Sequence, residues 1–69
     1  MTTDLREDIV EMREVFNAST PEEVLAEIDR GSTMGAGELL SREALVHESC
    51  MNQRTADAFW ALADRLGDV

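Results

Sequence analysis

The chain reads as an all-α domain: a small three- or four-helix bundle that homodimerisation would complete. Apolar residues recur at three- and four-residue spacing through most of the 69 residues, and no stretch alternates with the two-residue period of a strand. The single proline, Pro21, stands where a helix would begin. A chain of this length buries only about 60% of the surface it exposes when unfolded, so a second copy would strengthen a marginal core.

The first helix is expected over residues 4–17. Thr3 or Asp4 can cap it, and Asp4, Glu7 and Asp8 occupy the first turn, where the helix dipole favours negative charge. Leu5, Ile9, Met12 and Phe16 then form one narrow stripe. A second helix is expected over 21–30, with Thr20 as N-cap, Pro21 at the first position and Glu23 completing a capping box. Val24, Leu25 and Ile28 are its apolar face, and Gly31 its stop.

Gly31, Gly35 and Gly37 fall within seven residues, which predicts a loop over 31–37. A third helix follows over 38–51. Leu39, Val46 and Cys50 fall together on it, with Leu40, Ala44, His47 and Met51 beside them, an arc broad enough for a central helix with neighbours on two sides. Leu45 is out of place, amid Ser41, Arg42, Glu48 and Ser49. The last helix is expected over 53–66 with a stripe of Ala56, Phe59, Leu62, Ala63 and Leu66, Trp60 at its edge and Gly67 as stop. Residues 38–66 fit two helices or one kinked helix.

Few patterns carry chemistry. His47-Glu48 opens an H-E-x-x-H zinc-protease pattern that fails at Met51. Glu43, His47 and Cys50 share a helix face in the general form of an activated thiol nucleophile. One helix of so short a chain offers no substrate cleft, so Cys50 is expected to pack and His47 to be satisfied by Glu43 or by backbone. The glycine-rich loop lacks the lysine of a phosphate-binding loop. In length and acidity the chain resembles acyl carrier proteins, whose prosthetic-group serine sits in Asp-Ser-Leu at a helix start. Here Ser32 lies between Gly31 and Thr33, so the motif is missing and the family is set aside. No enzyme, cofactor or metal site is expected.

Charge is the remaining signal. Fifteen acids face six arginines and no lysine, giving a net charge of −9. Nine of those acids, against three arginines, lie in residues 1–30. That balance argues against direct nucleic-acid binding, because phosphates would be repelled. The sequence has no apolar run of the ~20 residues a membrane span needs, and a lone cysteine leaves no intramolecular disulfide, which together suggest a cytoplasmic protein. The expected function is a non-enzymatic protein–protein interaction module, a small acidic regulator or inhibitor of a partner with a basic surface, such as a nucleic-acid-binding protein. Glu7, Glu11, Glu14, Glu22, Glu23 and Glu27 would steer the partner, and Leu45 or Trp60 would anchor it. The alternative is a structural subunit that self-associates, without a separate client.

Overall fold

The computed structural model describes residues 5–67, which form four α-helices and one 3-10 turn, with no strand among them. The fold is all-α. Helix α1 spans Leu5–Glu11, α2 Pro21–Asp29, α3 Thr33–Ser49 and α4 Gln53–Gly67, and the 3-10 turn covers Arg13–Val15. Residues 38–66 therefore belong to two helices, joined through residues 50–52. Helix α3 packs against α4 along its length and against α2 beside it, the central position its wide apolar arc implied. The core joins Ile9 of α1, Val24 of α2, Ala36, Leu40 and Ala44 of α3, and Phe59, Leu62 and Leu66 of α4.

Helix α2 starts as its sequence dictates. The Glu23 N–H donates to Thr20 Oγ1 at 3.2 Å, and Pro21 takes the first position, where its missing N–H leaves nothing unsatisfied. The return half of the capping box differs, because the Thr20 hydroxyl, not its N–H, donates to Glu23 Oε1 at 3.4 Å. Gly31 ends the helix in the left-handed region at φ 81°. The Gly31 N–H reaches the Ile28 carbonyl at 3.0 Å and the Ser32 N–H reaches the Glu27 carbonyl at 2.8 Å, a Schellman motif.

The expected loop over 31–37 is mostly helix, since α3 begins at Thr33 and contains Gly35 and Gly37. Ser32 caps it, its Oγ accepting from the Gly35 N–H at 3.3 Å. Gly35 is needed for close approach: a Cβ there would lie 2.8 Å from Ser32 Oγ and 3.1 Å from Glu27 Oε1. Each interior glycine costs a helix about 1 kcal/mol relative to alanine, and burial of Ala36 and Leu40 between and beyond them offsets it.

The first helix is shorter than expected, ending at Glu11 instead of residue 17; its candidate caps Thr3 and Asp4 lie outside the described residues. After the 3-10 turn the chain does not resume that helix, and the reason is tertiary. In a continuing helix the Val15 carbonyl would accept from the Ser19 N–H. Instead His47 Nε2 bonds the Val15 carbonyl at 2.7 Å, and the Ser19 N–H donates to Glu43 Oε2 at 2.6 Å. Two α3 side chains thus take both halves of one helical hydrogen bond, and Phe16 turns into extended backbone.

The end of α3 also departs from expectation. Cys50 and Met51, expected in the apolar arc, are both exposed. The helix stops at Ser49, and Met51 adopts φ 62°. The Met51 N–H then reaches the Glu48 carbonyl at 3.0 Å and the Asn52 N–H reaches the His47 carbonyl at 2.8 Å, a second Schellman motif. Asn52 goes on to cap α4, accepting from the Thr55 N–H at 3.4 Å.

Candidate functional site

The six acidic residues expected to face a partner fall into two groups. Those on α2 have work inside the chain. Glu22 pairs with Arg13, Glu27 lies 3.6 Å from Arg30, and Glu23 bonds Thr20. Asp29 pairs with Arg6 in the same way. The Arg13 hydrogen bond holds the Glu22 carboxyl below its ordinary value, and Glu22 in turn raises the Arg13 guanidinium. The Arg6 hydrogen bond lowers Asp29.

Glu7, Glu11 and Glu14 are different. They are exposed on α1 and the following turn, and none has an ion-pair partner among the described residues. The negative field that reaches solvent from this end of the fold is therefore carried by α1, while three arginines offset the acids of α2. Sequence reasoning had spread the expected face over both helices, because pairing across helices is invisible in residue order.

The two expected anchors sit on the α3–α4 pair. Leu45 is 55% exposed, as its place in a polar arc implied. Trp60 is half-buried against the core, and its indole N–H donates to Glu48 Oε2 at 2.6 Å. Glu48 follows Leu45 by three residues on α3, so Leu45 and Trp60 flank the same carboxylate. Met34 and Met51 are the other widely exposed apolar side chains of α3 and its end, at 79% and 93%. Where the start of α3 meets the end of α4, Met34, Gly37, Ala63 and Leu66 line an open groove of about 300 Å³.

Among the described residues the buried polar side chains are Glu43 and His47, which form one centre. Glu43 is fully buried and accepts from the N–H groups of Asn17, Ala18 and Ser19 at 2.7, 2.7 and 2.6 Å, and from the Ser19 hydroxyl at 3.0 Å. A carbonyl can only accept, so the short contact to Val15 requires a proton on His47 Nε2. The His47 ring stacks on Phe59 with centroids 5.5 Å apart, and Phe16 meets Phe59 edge-on at 5.0 Å. His47 is thus satisfied by backbone, not by Glu43, and Glu43 serves the linker. Cys50 is exposed at the helix end, so the packed cysteine expected from sequence is not what forms. The legible clue to this centre was a glutamate set between Leu40 and Ala44 in an apolar arc; that its ligands would be amides some 25 residues earlier had no sequence signal.

Among the described residues no group of three or more His, Cys, Asp or Glu side chains is placed to hold a metal ion, and no helix is long and apolar enough to cross a membrane. Compared with protein-family models, with curated proteins and with solved structures, the chain matches none.

Proposed function

We propose that the protein is a non-enzymatic, cytoplasmic interaction module, a small acidic regulator that binds a partner with a basic surface. The observation that supports this reading is the uncommitted carboxylate set Glu7, Glu11 and Glu14 beside an α2 whose acids are largely paired within the chain. Such a face accelerates encounter with a cationic partner, and the Leu45–Trp60 edge would supply an apolar contact once docked.

The test is capture of the partner by the full chain, then measured association with the triple variant E7Q/E11Q/E14Q. The reading expects an association rate lower by about tenfold or more at low salt, a weaker salt dependence and a nearly unchanged dissociation rate. Equal rates for the two chains would sink the electrostatic part of the idea.

A second reading, self-association without a client, is favoured by Met34, Leu45 and Met51, three exposed apolar side chains on one helix and its end. It expects solution mass to rise with concentration and to fall back to monomer in Leu45→Ser. A constant monomer mass removes it.

A further inference from the structure

The face of α3 opposite its core residues is turned to solvent, and Met34, Glu38, Arg42, Leu45 and Ser49 on it are all exposed. Met34 and Leu45 are two of the large apolar side chains the fold leaves in water. They lie close to three full turns apart, so they stand in line, only about 20° from each other around the helix axis. Glu38 and Arg42 come between them, both to one side of that line. Neither has an ion-pair partner among the described residues, although they are one turn apart on the same helix. Arg6, Arg13, Arg30 and Arg65, by contrast, each meet a carboxylate of their own chain.

The two pairs share a centre. The midpoint of Met34 and Leu45 and the midpoint of Glu38 and Arg42 both fall on the turn of residues 39 and 40. A face arranged in this way is complementary to itself read backwards. A two-fold axis lying across the helix at that turn sets Met34 of each copy against Leu45 of the other. The same rotation keeps every residue on its own side of the line, so Arg42 of each copy comes beside Glu38 of the other.

We propose that the outer face of α3 is the contact surface for a second copy of this chain, packed antiparallel about a two-fold axis at residues 39 and 40. The proposal rests on the self-association reading above and gives it an interface and a register. An unrelated partner would have no need of charges and apolar ends placed symmetrically about one turn. Two chains of net charge −9 repel each other, but between its apolar ends this face carries one carboxylate and one guanidinium and is locally balanced. The unpaired Glu7 and Glu11 belong to α1, which packs on α2 and α4. One helix face is a small interface, so the dimer is a weak one.

Sedimentation equilibrium of the full chain, from micromolar to millimolar concentration at low salt, tests this. The natural chain should dimerise. Glu38→Arg sets arginines against each other across the axis and Arg42→Glu sets carboxylates against each other, so each should raise the dimer Kd about tenfold or more. Glu38→Arg also removes negative charge, which on net charge alone would favour association, so its weakening effect reports the local pair. An equimolar mixture of the two single variants should form a mixed dimer with a Kd near that of the natural chain. Neither variant can pair position 38 with position 42 inside its own helix, so recovery on mixing reports contact between copies. Circular dichroism should show both variants folded, since both positions are exposed. A natural chain that stays monomeric throughout would overturn this proposal together with the self-association reading. A dimer unaffected by the single variants, or a mixture that does not recover, would overturn this interface and leave self-association standing.

Discussion

Gly31 and Met51 stand at equivalent positions of two Schellman helix ends, each in the left-handed region, and only glycine adopts that region freely. A residue with a Cβ pays roughly 1–2 kcal/mol there. The Met51 side chain is 93% exposed and returns little of that cost in packing. Met51→Gly should therefore raise the unfolding free energy by about 0.5–1 kcal/mol after glycine's own entropic loss. Chemical denaturation would show it as a higher midpoint at unchanged slope. Gly31→Ala should shift the midpoint the other way by a similar amount, since its φ of 81° would then carry a Cβ.

At the scale of elements, α3 holds two glycines with opposite roles. A Cβ at Gly37 meets nothing within 4 Å, so Gly37→Ala should gain the helix-propensity difference, about 0.5–1 kcal/mol. At Gly35 the new methyl would come within 2.8 Å of the Ser32 cap oxygen, so Gly35→Ala should gain nothing or destabilise. Paired thermal melts of the two variants check both signs. The same helix shows where sequence reading stops. Thr20-Pro21-Glu23 announced the start of α2 through local chemistry, and the stripe from Ala56 to Leu66 announced α4, because both signals act within a few residues. The start of α3 was hidden by two glycines, of which Gly35 lies close against Ser32 and Glu27. The bend after the 3-10 turn was hidden because Glu43 and His47, far along the chain, take the hydrogen-bonding groups of Ser19 and Val15.

For the whole molecule, net charge was readable from composition, but its commitment was not. A total of −9 says nothing of which acids are already paired. In the fold, Arg6, Arg13 and Arg30 meet α2, Arg65 meets α1, and of the six expected steering acids Glu7, Glu11 and Glu14 are those without a partner among the described residues. The expected steering face thereby contracts from six residues to three, on α1 and the 3-10 turn after it, with Leu45 and Trp60 on the α3–α4 pair. Substituting α2 acids would disturb the attachment of α1 as well as any partner, so the α1 acids give the cleaner binding test.

The divided hydrogen bond at Val15 and Ser19 also sets an order of events in folding. Its two new partners lie 32 and 24 residues downstream, so the bend after α1 cannot be locked until α3 has formed and closed a long loop. The α3–α4 pair, joined through residues 50–52, needs only short-range closure and should lead. Before that moment the stripe from Leu5 to Phe16 is free to run as one longer helical segment, a non-native extension that docking then cuts short. Substitution at Glu43 should accordingly leave the refolding rate nearly unchanged and accelerate unfolding, a φ-value near zero, while Ala44→Gly, in the α3 face that packs on the core, should slow refolding. Stopped-flow chevrons of the two variants would read the sequence of steps directly.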